Sequence, residues 1–396
     1  MLAITCPGQG SQTPGFLSAW LEVPGVSDRL HWLSTVAGID LERHGTVSDE
    51  ETIKDTAVAQ PLIVASGLLS LLALFEHPAD GFRVVGAGVG HSVGEITAAS
   101  AAGVISAEQA MVLVRERGKA MAHAATATPT GMSAVIGGDE EEVVATIERH
   151  GLTPANRNGA GQIVAAGTLE QLAALADDKP ARSRVLPLKV AGAFHTEHMA
   201  PAVDTLVRLS RAISTHDARV PLVSNADGQV VVSGPEVLRR IVTQVSNPVR
   251  FDLCLQTLRD LGVTGIIEIP PAGALTGLAK RELKGVETLA LRTPDDIEAA
   301  QRMVREHGSP REASEPAWRV VVSPAKGRVT LDGGLAAGSG VTAGATIASI
   351  SSLRESIEVR SEHPGQVIEW LVEDGDPVAP GQPLLRLHPI GAEASA

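Results

Sequence analysis

Between Val84 and Ala102 an apolar run meets G-x-S-x-G and passes straight into small, helix-forming residues. Val84-Val85-Gly86-Ala87-Gly88-Val89 leads into Gly90-His91-Ser92-Val93-Gly94-Glu95, then Ile96-Thr97-Ala98-Ala99-Ser100-Ala101-Ala102. This pattern reads as a strand, a tight turn and a helix that Gly103 can stop. Without Cβ atoms at Gly90 and Gly94 the turn can be sharp, and Ser92 Oγ then projects from it with a helix N-terminus behind. A serine so placed can attack a carbonyl and have the oxyanion met by backbone N–H groups. A plain helix N-cap serine fits the same local pattern, so the rest of the chain has to decide.

Other stretches supply what such a serine requires. Leu2 to Cys6 reads as a buried strand broken by the Gly-rich loop Pro7-Gly8-Gln9-Gly10-Ser11-Gln12. A loop at the C-terminal end of a strand in an α/β sheet points into the ligand crevice, so its N–H groups can join that of Val93 in an oxyanion hole. Ala57 to Phe75 reads as a buried helix. In the helix expected over Ser106 to Ala122, steps of about 100° place Arg117 in the middle of the stripe of Ala110, Val114 and Met121. A guanidinium on a core-facing stripe needs an anion, either a structural carboxylate or a ligand's carboxylate or phosphate.

From Gly131 to Val190 the elements read βαββαβ, the order of a split βαβ, ferredoxin-like unit inserted into the larger α/β body, with the last strand over Val185 to Val190. That strand leads to Gly192-Ala193-Phe194-His195-Thr196. His195 is either a satisfied core histidine or the general base that a serine hydroxyl needs. No carboxylate between Ser92 and His195 stands out as a third member, which argues against an ordinary Ser-Asp-His hydrolase.

Composition excludes several classes. Aromatic residues are 2% with no tyrosine, which removes stacking platforms for bases, and a net charge of -13 disfavours any phosphate backbone. Nucleic acid is therefore not an expected partner. Cys6 and Cys254 offer neither a disulfide framework nor metal-ligand spacing. The N-terminus lacks a basic n-region, and no run of about twenty uninterrupted apolar residues appears, so a soluble, cytoplasmic protein without membrane attachment is expected.

Taken jointly, the Gly8-Gln9-Gly10-Ser11-Gln12 loop, Gly90-His91-Ser92-Val93-Gly94-Glu95, Arg117, Asn156, Gly192-Ala193-Phe194-His195-Thr196 and Gln244 ahead of Asn247-Pro248-Val249 resemble the malonyl-CoA:acyl carrier protein transacylase family over about the first three hundred residues. The resemblance implies an α/β-hydrolase-like body with an inserted ferredoxin-like subdomain. It implies Ser92 as the nucleophile, His195 as its base, Arg117 as the clamp on the malonyl carboxylate, and Gln9 and Val93 at the oxyanion hole. It also implies that the backbone carbonyl of Gln244 orients the histidine, which accounts for the missing aspartate. Asn156, Phe194 and His91 match pocket positions, and Phe194 resembles the malonyl-selecting form. The implied substrates are malonyl-CoA and the phosphopantetheine thiol of acyl carrier protein, with no metal or redox cofactor. The expected reaction is ping-pong transfer in fatty acid biosynthesis. The alternatives are hydrolysis of malonyl-CoA and malonyl loading for polyketide synthesis.

The C-terminal quarter is different. Gly308 to Pro316 reads as a linker. Beyond it Gly338, Val341, Gly344 and Ile347 recur 37 positions later as Gly375, Val378, Gly381 and Leu384. Two matched β halves suggest a flattened barrel or sandwich. This stretch resembles a biotinyl/lipoyl carrier domain, with Arg354 where that family carries its modified lysine, which implies a structural or docking module. The expected division is a catalytic body over 1–126 and 196–303, a subdomain over 127–195, a linker over 304–317, the β domain over 318–389 and a tail over 390–396.

Overall fold

A computed structural model describes residues 1–75, 78–190, 192–308, 319–352 and 355–389. Arg354, most of the expected linker and the tail over 390–396 lie outside the described residues. The chain divides into two compact units, residues 1–310 and 311–396.

In the first unit the strands are β1 (Leu2–Cys6), β2 (Val85–Gly90), β3 (Thr130–Gly137), β4 (Thr153–Gly159), β5 (Gln162–Thr168), β6 (Ser183–Pro187), β7 (Leu222–Val223), β8 (Val230–Val231), β9 (Val249–Arg250), β10 (Gly265–Glu268) and β11 (Glu287–Ala290). Six of them form the body sheet in the order β11-β10-β1-β2-β7-β8, parallel except for the β7–β8 pair. Helices cover the sheet, and β1, β2 and β10 are buried throughout, so their sequences are apolar runs rather than alternations. Cys6 pairs with Gly90, so β1 and β2 end side by side and the Pro7 loop and the Ser92 turn leave the sheet at the same edge.

The Thr56–Leu74 helix starts at Asp55, whose carboxylate accepts from the Ala57 N–H. By length and composition it could cross a membrane, but 72% of its apolar window is buried inside the protein, as a central core helix would be. The Ala107–Ala125 helix opens with a reciprocal capping box between Ser106 and Gln109, and it packs against the Thr56–Leu74 helix. These two helices deliver Gln60 and Arg117 to the core side of the Ser92 turn.

In the subdomain the antiparallel strands lie in the order β6-β3-β5-β4, so the βαββαβ chain order gives the spatial order fourth, first, third, second. Two features differ from the sequence reading. The sheet gains a fifth strand, β9, which belongs to the body and pairs in parallel with β4 through Asn156↔Val249 and Arg157↔Arg250. Two residues after a proline carry too little periodicity to be read as a strand, but they stitch the insertion to the body. In addition, the last subdomain strand ends at Pro187 rather than Val190, so His195 does not follow directly on a strand end. The described fold also carries the Ile297–His307 helix through the position where the linker was expected to begin: Met303 is buried, which keeps the helix on the body past residue 304.

The second unit contains β12 (Arg319–Val322), β13 (Gly327–Leu331), β14 (Gly340–Val341), β15 (Thr346–Ser351), β16 (Ser356–Arg360), β17 (Gly365–Trp370), β18 (Pro377–Val378) and β19 (Pro383–Pro389). They form two four-stranded antiparallel sheets, β12-β19-β17-β14 and β16-β15-β13-β18. Under the 37-residue repeat β12 corresponds to β16, β14 to β18 and β15 to β19, so the two sheets have the same order and each draws strands from both halves. Neither half closes a sheet by itself, and the core of Val329, Ile347, Ile350, Val367, Leu384 and Leu387 is shared. Gly344 and Gly381 repeat to the backbone angle, at φ +81° and +80°, with their N–H groups bonded to Ser361 O and Ser323 O.

This equivalence is testable. A Cβ at either glycine meets nothing within 4 Å, so only the left-handed backbone opposes it. Gly344→Ala and Gly381→Ala should each lower the stability of this unit by about 1 kcal/mol. Hydrogen exchange over residues 340–350 and 377–387 should speed up to the same extent in both variants.

Candidate active site

The turn after β2 folds as tightly as its glycines permit. A Cβ on Gly94 would stand 2.1 Å from Cys6 O and 2.8 Å from Pro7 O, and one on Gly90 would stand 2.1 Å from Glu95 N. The β1 loop therefore lies directly over the N-terminus of the Gly94–Ala101 helix. At the apex Ser92 has φ +53°, a left-handed conformation that a non-glycine residue keeps only when its surroundings over-determine it. Asn225 supplies the constraint. Its Nδ2 donates to Gly90 O at 2.7 Å and its Oδ1 accepts from the Ser92 N–H at 2.9 Å, which clips the two limbs of the turn together.

His195 approaches from the other side, also left-handed at φ +62°. Its Nε2 lies 2.8 Å from Ser92 Oγ and its Nδ1 lies 2.8 Å from the backbone oxygen of Gln244. A carbonyl can only accept, so Nδ1 carries the proton and the Nε2 lone pair faces the serine hydroxyl. Burial, reinforced by the neighbouring Arg117 guanidinium, pushes the His195 imidazole down to about 3, so at neutral pH it is an unprotonated acceptor. The pair can therefore move the Ser92 proton, and it does so with a backbone oxygen in place of a third side chain.

Arg117 is 1% exposed. Its Nη1 donates to Gln60 Oε1 at 2.7 Å, and its Nη2 donates to Gln244 Oε1 at 3.1 Å and to Ser92 Oγ at 3.2 Å. Every one of these acceptors is neutral, and the buried Nε has no hydrogen-bond partner. No carboxylate forms an ion pair with Arg117 among the described residues; the nearby Glu95 spends its oxygens on the Asn225 N–H (2.6 Å) and on Gln244 Nε2 (2.6 Å). Burial lowers Arg117 to about 10 and raises Glu95 to about 7, each partly held back by the charge of the other. The arginine is thus a fixed, buried cation beside the serine that lacks an anion of its own.

Of the residues singled out in the sequence, hydrogen bonds bring Ser92, His195, Arg117 and Gln244 together. Ser92 N–H is taken by Asn225, whereas no hydrogen bond is formed by the backbone N–H of Gln9 or Val93 among the described residues, which leaves both as donors for an incoming oxygen. The Gln9 side chain is tied to Lys54 O at 3.1 Å. His91 is held by Asn158 Oδ1 at 2.9 Å and meets the Phe251 ring edge-on. Phe194 is buried. Asn156 is buried in the ladder between Val164 and Val249, and the subdomain side chain that reaches toward the Ser92 turn is that of Asn158, two residues on.

Sequence reasoning missed Gln60, Glu95, Asn158 and Asn225 as parts of the site. Gln60 had a signal, because an amide inside a wholly apolar helix must find a buried polar partner. Glu95 likewise sits in a stretch of small apolar residues. Asn225, 133 residues from Ser92, had none.

Residues 5–313 match the family model described as the acyl transferase domain. The chain is 52% identical over 303 residues to the malonyl CoA-acyl carrier protein transacylase of Mycobacterium bovis, covering 75% of this chain and 98% of that protein. Among solved structures it resembles the crystal structure of MCAT from Mycobacterium tuberculosis at 51% identity and a TM-score of 0.74, over 76% of this chain and 99% of that one. It also resembles a malonyl-transacylase solved in complex with a type II polyketide synthase acyl-carrier protein, at 31% identity and a TM-score of 0.71, over 76% and 99%.

The protonation state of His195 sets a pH profile. A neutral organofluorophosphonate should label Ser92 at a rate that is flat from pH 8 to pH 6, because the imidazole does not gain its proton in that range. Intact-mass kinetics read this directly. Loss of half the rate near pH 6.5 would mean that the histidine titrates as a solvated one.

Proposed function

The chain belongs to the malonyl-CoA:acyl carrier protein transacylase family, and from that premise we propose that it moves a malonyl group from malonyl-CoA to the phosphopantetheine thiol of acyl carrier protein, in fatty acid biosynthesis, through an ester on Ser92. The observation that carries this reading is Arg117: a buried guanidinium 3.2 Å from Ser92 Oγ whose contacts are all neutral. Burying a charge costs several kcal/mol, and hydrogen bonds to neutral oxygens offset it only in part. A malonyl carboxylate supplies the missing anion and is thereby oriented with its thioester at the serine.

The reaction follows from the parts. His195 Nε2 takes the Ser92 proton as Oγ attacks the thioester carbonyl, and the Gln9 and Val93 N–H groups receive the oxyanion. Collapse expels CoA, whose sulfur takes the proton from His195 so that it leaves as the thiol and the imidazole is neutral again. The carrier thiol then gives its proton to His195, attacks the ester and regenerates Ser92 Oγ–H. The route needs no metal or redox cofactor. Phe194, beside the base, fills room that a branched acyl group would need, a discrimination of about 1–3 kcal/mol per methyl. His91 and Asn156 complete the pocket wall in this reading, and the enzyme works as a soluble protein of the cytoplasm.

For residues 318–389 we propose a biotinyl/lipoyl-like module serving structure or docking. The matched strand orders of the two sheets, each built from both halves, support the likeness. Arginine at position 354 cannot form the amide that attaches biotin or lipoate. Intact mass of the purified chain should therefore show no such adduct, and finding one would refute the docking role.

Loading of holo acyl carrier protein tests the transferase. Ser92→Ala should abolish it with the fold intact. Arg117→Ala should lower kcat/KM for malonyl transfer by a factor of 100 or more and acetyl transfer far less, since acetyl has no carboxylate to lose. Equal losses would make the arginine structural, and thiol release from malonyl-CoA that ignores the carrier would make the protein a hydrolase.

A further inference from the structure

Gln244 serves both catalytic partners of Ser92. Its backbone oxygen accepts from His195 Nδ1 and its side-chain Oε1 accepts from Arg117 Nη2. The second contact exists only if the amide is turned the right way round, because the opposite orientation would set an NH2 against a guanidinium N–H. The amide orientation is fixed from both ends, by Arg117, which can only donate, and by Glu95 and Asn225 Oδ1, which can only accept. Gln244 Nε2 donates to Glu95 Oε2 at 2.6 Å and to Asn225 Oδ1 at 3.1 Å, and Asn225 Oδ1 is already shared with the Ser92 N–H. The other Glu95 oxygen is held by the Asn225 N–H at 2.6 Å.

We infer that Glu95 is a positioning residue for substrate selection: as an ionised, accept-only carboxylate it locks the Gln244 amide with Oε1 toward Arg117, and so aims the guanidinium at a dicarboxylic acyl group. The inference rests on the proposed transferase reading. It follows from the polarity of the hydrogen-bond chain, which runs from Arg117 Nη2 through Gln244 Oε1 and Nε2 to Glu95. A neutral side chain at position 95 changes that polarity. A glutamine that keeps its oxygen on the Asn225 N–H presents NH2 to Gln244, and a protonated glutamate that does the same presents a hydroxyl, a weaker acceptor than the carboxylate oxygen. Either one weakens the hold on Nε2 and leaves Asn225 Oδ1 as the main acceptor opposing a flip of the Gln244 amide, which would cost Arg117 one of its three acceptors without moving the backbone oxygen that serves His195.

The environment makes the ionisation of Glu95 conditional. The charged or titratable groups that act on it are Arg117, Arg240 and Asp227, and the buried thiol of Cys254 also feels its charge. The Thr56–Leu74 helix and β2 pack on the same helix without contributing any titratable side chain; β1 contributes only the Cys6 thiol, and the Gly234–Thr243 helix adds Glu236 and Arg239 beyond Arg240. Burial places the carboxyl near 7, so it is ionised above that pH and neutral below it.

The test is the ratio of kcat/KM for malonyl-CoA to that for acetyl-CoA in carrier loading by the full chain. At pH 8, Glu95→Gln should lower the malonyl value at least about tenfold, chiefly through KM, and change the acetyl value by less than about threefold. A merely structural role would lower both together, and that parallel loss, or an unchanged ratio, overturns the inference. Should Glu95→Gln not fold, the wild-type ratio decides: it should fall at least about threefold between pH 8.5 and 5.5, and a flat ratio overturns the inference. If wild-type protein fails to load the carrier, or Ser92→Ala still loads it, the transferase reading fails instead.

Discussion

A guanidinium held out of water without an ion-pair partner governs the rest of this site. Arg117 is seated on three neutral oxygens, from Gln60, Ser92 and Gln244, each supplied by a different element. Hydrogen bonds to neutral oxygens offset the cost of burying a charge only in part, and they leave a standing demand for an anion. The two longest packed helices of the body, Thr56–Leu74 and Ala107–Ala125, make that arrangement rigid. An exposed arginine would have no such demand, and one paired with Glu95 would have it satisfied.

The same cation acts on Ser92. By donating to Ser92 Oγ it occupies one lone pair and leaves the hydroxyl proton for His195 Nε2. Together with burial it keeps the imidazole neutral. In the proposed reaction, substrate selection and nucleophile activation share one charge, and Gln244 is the residue through which they meet, its backbone oxygen on His195 and its amide oxygen on Arg117. Asn225 completes the arrangement by holding Ser92 at φ +53° and occupying the serine's own N–H, whereas the N–H groups of Gln9 and Val93 form no hydrogen bond among the described residues.

The subdomain takes part through its stitch to the body. β9 pairs with β4 at Asn156 and Arg157, just where the strand sends Asn158 to His91. The insertion is thus registered against the segment that follows Gln244, and His91 is tied through Asn158 to the strand that makes this pairing.

Local chemistry decided much of this in advance. The serine turn, the odd phase of Arg117 on its stripe, the subdomain's element order and the 37-residue repeat are written in spacing and residue type, because each depends on neighbours within one or two elements. What spacing could not reveal is which oxygens meet Arg117, that Glu95 holds Gln244 instead of pairing with the arginine, that Asn225 clamps the turn across 133 positions, that Asn158 and not Asn156 reaches His91, or that two residues of the body complete the subdomain sheet. Those are contacts between distant segments, and an amide or carboxylate acquires its direction only when packing brings a partner to it.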